Sequence, residues 1–313
     1  MSAKKLPWNL RPSDFDKPGW HTRPTAGYEL MFAYLRLSPS YELARRAAYG
    51  RLTNEEASSL PSDFAEVQKM YELFGDVQRQ LFRRWWLRRG LKIFGNPFSK
   101  PSIHKIATIE QSQVANSNNL QSALDNFLSD TRESEGLVKT LLVALPLGLR
   151  RAEVLKQVAE LFDKETAGSL QQNQQPLLKL QGQRLRKDVL LKGIRLLWFR
   201  AAKPKWEYWR LGAKSNLSKY YSPLLNPDGP RKRSYDENEI SDRKLMTKIT
   251  YRALQKYEAI AENAARGRFP CEDVVDKVPF DYDKIRRLII LNNKWEETEK
   301  ARLLAAHQKN LKK

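Results

Sequence analysis

The sequence predicts a mainly α protein built from two helical domains. Three observations carry that expectation. Apolar residues recur at helical i, i+3, i+4, i+7 spacing over most of the 313 residues. The periodic stretches open on capping residues and close on glycine or proline. Strand-like runs are confined to the middle of the chain, where one or two short strands are expected. With 41% hydrophobic residues the chain can bury a substantial core. The reading divides it into an N-terminal arm (1–24), a helical domain (25–100), a mixed middle segment with linker (101–170) and a basic helical domain (171–313).

Residues 1–20, MSAKKLPWNLRPSDFDKPGW, mix Pro, Trp and charge and lack a signal peptide's apolar core, so they read as the arm of a soluble protein. AGYELMFAYLRL then sets Tyr28, Met31, Phe32 and Leu35 on one helix face. In SPSYELARRAAYG, Ser38 is the N-cap, Pro39 opens the helix and Gly50 stops it. TNEE at Thr53 is a capping box interrupted by Pro61. The longest pattern follows, with Phe64, Val67, Met70, Tyr71, Phe74, Val77, Leu81, Phe82 and Trp85 on an apolar face. Gly75 marks a kink or break within it and Gly90 its end.

SIHKIATIE, from Ser102, reads as a short strand, and LVKTLLVAL, from Leu137, as a strand or a buried helix. Residues 150–162 form an amphipathic helix, and AGSLQQNQQP is a linker. GQRLRKDVLLKGIRLLWFRAAKP points Leu185, Leu190, Ile194, Leu197 and Trp198 inward and Arg184, Lys187, Lys192 and Arg195 outward. NPDGPRKRSYDENEIS is an exposed loop, and two long helical segments close the chain.

The formal charge of +20 is confined to two blocks. Residues 79–105 hold eight basic residues and no acid, and residues 179–233 hold fifteen basic and three acidic ones. Those blocks carry +8 and +12, so the remainder is neutral. Concentrated positive charge attracts phosphate backbones and releases their counterions.

KPKWEYWRLGAKSNLSKYYSP, from Lys203, carries part of a helix-turn-helix pattern. Leu211 is apolar, Gly212 is small where two helices cross, and Asn216 suits a left-handed turn. Ser218 caps a second helix bearing Lys219, Tyr220 and Tyr221. Ser222 falls where an apolar residue belongs, and Pro223 cuts the helix short, so the motif is degenerate.

The run WEYWRLGAKSNLS resembles the W-x-I-G-x-x-L-G-L-S segment of poorly characterised regulator-like proteins of bacterial plasmids and integrative elements. AYLRLSPSYELA, YELFGDVQRQLFRRWWLRRG and IAENAARGRFP are similar to stretches of the same proteins. The resemblance implies a bacterial mobile-element setting and DNA binding. Asn216, Ser222 and Pro223 depart from its helix-turn-helix.

RRWWLRRG offers Arg83, Arg84, Arg88 and Arg89 for forked phosphate contacts. Trp85 continues the core stripe, while Trp86 covers a helix seam or stacks on a base. Arg231, Lys232 and Arg233 form a loop able to grip phosphate. Lys214, Ser218, Lys219 and Tyr220 complete the expected nucleic-acid contacts. In ARGRFP, capping by Gly267 and the stop at Pro270 explain the spacing.

Neither a phosphate-binding loop nor H-E-x-x-H, C-x-x-C, G-x-S-x-G or G-x-G-x-x-G occurs. One cysteine (Cys271) and three scattered histidines exclude a disulfide framework and a zinc cluster and fit a reducing cytoplasm. No apolar run approaches the roughly 20 residues of a membrane span. The expectation is a non-enzymatic, cytoplasmic, nucleoid-associated DNA-binding protein that regulates or assists a mobile element. No cofactor, metal or membrane is expected; self-association or a protein partner is open. RNA binding and a protein-interaction scaffold are the alternatives. A nuclease using the acids around Glu272 and Asp281 is the third.

Overall fold

The computed structural model describes residues 15, 18–95, 102–109, 117–132, 139–166, 176–181, 185–230 and 236–311. The protein is mainly α, and no strand occurs among the described residues. Its contacts divide it into two units, residues 1–90 with 178–313 and residues 91–177. The segments read from sequence as separate N- and C-terminal helical domains thus belong largely to one unit. The physical reason lies in the first long helix, which packs on partners far along the chain.

That helix, α1 (Ala26–Leu35), is apolar on nearly every side and buries Leu30, Met31, Phe32, Tyr34 and Leu35. A helix hydrophobic all round needs neighbours all round. They are supplied by helices numbered below as α9 (Lys187–Ala202) and α12 (Glu237–Ala264). The Tyr34 hydroxyl donates to the Leu190 carbonyl at 2.9 Å. Gly193 makes that approach tolerable, since a Cβ there would lie 2.2 Å from the Tyr257 ring and 2.4 Å from the Tyr34 oxygen.

Helix α2 (Pro39–Ala48) begins as its sequence dictates, with Ser38 Oγ accepting from the Tyr41 amide at 3.1 Å. The capping box at Thr53 opens the short α3 (Asn54–Ser58). Helix α4 (Phe64–Phe74) ends at Gly75, whose φ of 71° turns the chain out of the helix. Helix α5 (Phe82–Trp85) continues through a π-helical turn, Trp86–Gly90. Gly90 does not end the helical path, which continues as α6 (Leu91–Phe94) to Gly95. The role of Gly90 is contact: a Cβ would lie 2.3 Å from the Trp86 ring.

Three stretches distant in sequence meet inside this unit. Glu262, fully buried on α12, accepts from Ser38 Oγ at 2.7 Å, from Ser40 through both its amide and its hydroxyl, and from Arg266 at 3.1 Å. Arg266 makes a two-pronged pair with Asp63, 2.6 Å on each arm, and donates to the Asp276 carbonyl. Tyr41 donates to the Gly75 carbonyl at 2.7 Å. Every charge in the network has hydrogen-bonded partners, the condition for burying ions without a large penalty. Arginine hydrogen bonding holds the Asp63 carboxyl below its ordinary range, and the Ser62 amide and hydroxyl do the same for Asp276.

The rest of this unit is α10 (Tyr208–Lys214), the single-turn α11 (Tyr221–Leu224), α12 and α13 (Tyr282–Leu311). Gly267, with φ 76°, follows α12 as expected of a helix terminator.

The second unit contains α6, α7 (Ser117–Asn126) with its π-helical extension Phe127–Thr131, and α8 (Arg151–Thr166). SIHKIATIE does not form the expected strand, nor LVKTLLVAL the expected strand or buried helix: residues 102–109 and 139–146 carry no regular structure. A strand needs a neighbour to satisfy its backbone, and residues 139–150 are exposed throughout. Leu155, Leu161 and Phe162 of α8 are also exposed, so much of its apolar face is uncovered.

Candidate nucleic-acid interface

The two basic blocks fold in different ways. In RRWWLRRG, aromatic packing takes both tryptophans inward. Trp85 is fully buried and donates from Nε1 to the Phe74 carbonyl at 2.8 Å. Trp86 is 5% exposed, with its ring 4.7 Å from Tyr28 and stacked 5.9 Å from Phe82. The base-stacking role expected of Trp86 is therefore corrected: its faces lie in the core and it seals a helix seam.

Two of the four arginines have structural duties. Arg84 pairs with Glu299 at 2.8 Å. Arg89 donates to the Glu72 and Leu73 carbonyls at 2.8 and 2.9 Å, capping the C-terminal end of α4. Arg83 is exposed. Arg88 is exposed and holds no ion pair or side-chain hydrogen bond among the described residues. The block also runs on into the second unit at Lys92 and Lys105, while Lys100 lies outside the described residues.

The second block is organised around α10. Trp209, Ala213, Leu225 and Met246 form a buried cluster that fastens α10 and its following turn to α12, with Tyr221 packed against it. Gly212 faces α12: a Cβ would sit 2.0 Å from Thr250 Oγ1 and 2.8 Å from Met246 Sδ. Asn216 takes the left-handed conformation its side chain tolerates, with φ 53°.

After the turn, Ser218 Oγ accepts from the Tyr220 and Tyr221 amides at 3.3 and 3.2 Å. Ser222 Oγ accepts in return from the Ser218 amide at 3.2 Å. Ser222 is thus buried where an apolar residue was expected because it closes a reciprocal cap. The helix this cap opens is one turn long, about 6 Å at 1.5 Å per residue. Lys219 and Tyr220 precede it and are presented by the turn, a correction to their expected place on a second helix. Both are exposed, Tyr220 to 70%.

Lys214 pairs with Asp228 across the turn that follows α11. An ion pair this exposed contributes about 0–1 kcal/mol, so an incoming phosphate can compete for the lysine. Arg231, Lys232 and Arg233 lie outside the described residues.

Beside α10 is a cleft of about 280 Å³ lined by Lys205, Trp206, Glu207, Arg210, Gly229 and Pro230. Trp206 is half-buried and lies outside the Trp209 cluster. Arg210 is fixed by donation to the Pro227 carbonyl at 2.9 Å, and its guanidinium lies 5.0 Å from the Trp209 ring centre. Glu207 accepts from Trp209 Nε1 at 2.6 Å.

No family model, curated protein or solved structure matches this chain. The site must be read from its own chemistry. Arg186, Arg195, Lys205 and Lys219 of the second block are exposed and, among the described residues, hold no ion pair. Composition gave their sum but not which cations would remain available.

The acids considered for a nuclease have other partners. Glu272 pairs with Lys256, and Asp281 accepts from the Asp283 and Lys284 amides at the start of α13. Sequence reading also missed the Glu262–Arg266–Asp63 network. Its only signal was acid and base four residues apart, Glu262 and Arg266, inside an apolar helical stretch.

Proposed function

We propose that this protein is a non-enzymatic DNA-binding protein, a regulator or accessory factor of a bacterial mobile element that works in the cytoplasm on the nucleoid. The observation that carries the reading is the set of exposed cations that hold no ion pair among the described residues, Arg88, Arg186, Arg195, Lys205 and Lys219, all within the two basic blocks. Exposed lysines and arginines neutralise phosphates and release counterions, giving affinity with little dependence on sequence. The one-turn helix after Ser218 offers too short a rod for extended groove reading, so contacts to the backbone dominate. The mobile-element setting rests on the sequence resemblance alone.

The test is fluorescence anisotropy with labelled duplex DNA at low salt. The wild-type protein binds, and R88E/K205E/K219E binds at least about tenfold more weakly with its helical circular dichroism intact. Absence of duplex binding by the wild type at low salt overturns the reading. Duplex RNA of the same sequence, bound more tightly than the DNA, would move it to RNA.

A further inference from the structure

We propose that the cleft beside Trp206 holds one unpaired nucleotide of single-stranded DNA, the base against the indole and the phosphate against Lys205. This rests on the DNA-binding reading and adds a substrate form to it. At about 280 Å³ the cleft lies near the lower end of the roughly 300–1,000 Å³ of small-molecule sites. That is room for one base and its sugar.

Its walls have the two elements that single-strand sites combine, an aromatic platform and cations along the backbone path. Trp206 is half-buried and lines the cleft. Lys203 Nζ is 5.6 Å from its ring centre, and Lys205 is exposed at the rim. Arg210 Nε lies 4.0 Å from Glu207, which offsets the one acid among the described lining residues. Glu207 and Arg210 are each held by a further partner, so the wall is preorganised. In a duplex both faces of a base are stacked and hidden. An indole in a recess reaches only a base that has left the stack.

Anisotropy with a labelled mixed-sequence single strand and the same strand as a blunt duplex tests the assignment. W206A is expected to weaken single-strand binding about tenfold or more while duplex affinity stays within about twofold. W206F, which keeps a stacking face, recovers most of the loss. If W206A does not fold, W206L keeps apolar bulk without a ring and gives the same readout. An unchanged single-strand affinity in the variant, or an equal loss for both DNA forms, overturns the proposal. Wild-type protein that binds duplex but not single strand removes the cleft and leaves the DNA-binding reading standing. Protein that binds neither removes both.

Discussion

RRWWLRRG and KPKWEYWRLGAKSNLSKYY look alike as sequence, each a short basic stretch holding two tryptophans, yet they fold to opposite ends. In the first, both rings enter the core, and Arg84 and Arg89 are engaged by Glu299 and by the carbonyls ending α4. In the second, Trp209 enters the core while Trp206 lines a cleft, and Lys205 and Lys219 stay exposed. The difference lies in what surrounds each stretch. The first lies against α1, with Tyr28 and Phe32 waiting for its rings. The second packs mainly on α12, with α9 and α11 beside it, and α12 takes the Trp209 face while Lys205 and Lys219 stay exposed. Basic and aromatic composition therefore does not locate a binding surface until the neighbours are known.

The sharpest way to break the contrast is to truncate one ring on each side. Trp85→Ala removes a fully buried ring and is expected to cost about 3–5 kcal/mol in chemical denaturation. Trp206→Ala is expected to cost far less. Equal losses would mean that Trp206 is a core residue and the cleft incidental.

Arg266→Ala tests the buried Glu262–Arg266–Asp63 network. It strands Glu262 without its ion partner and is expected to destabilise by about 3–5 kcal/mol, with no selective effect on DNA affinity. Gly212→Ala is expected to cost about 1–3 kcal/mol by overpacking where α10 meets α12.

The smallest effect is the pH dependence. Asp63 and Asp276 have carboxyls held below the ordinary aspartate value of about 3.9. Their stabilisation is fully present above that value and is lost as pH falls through the lowered native values. Denaturation midpoints should fall below about pH 4, with a shallower slope for Asp63→Asn.

Much of the helical plan was legible from local signals, because caps and glycines act within a few residues. Ser38, Thr53, Gly75 and Gly267 each start or stop a helix where the sequence indicates. The division into successive domains was not, because α1 is completed by helices more than 150 residues away. For the same reason the engagement of Arg84, 215 residues from Glu299, and the burial of Trp86 against Tyr28 carried no local signature. Of the expected nucleic-acid contacts, Arg83, Arg88, Arg89, Lys219 and Tyr220 are exposed, Arg89 while capping α4, and the tripeptide from Arg231 lies outside the described residues. Ser222 read as a flaw because its role is a hydrogen bond to the Ser218 amide, which composition does not reveal.

The most direct measurement is the salt dependence of duplex affinity for single substitutions drawn from the two kinds of arginine and lysine. R88A, K205A and K219A are each expected to lower the slope of log K against log salt by about 0.9, one phosphate contact apiece, with Tm unchanged. R84A is expected to lower Tm and leave the slope as it was. A slope that falls equally for R84A, or that no exposed cation alters, would contradict the division of the basic blocks into structural and DNA-facing charge.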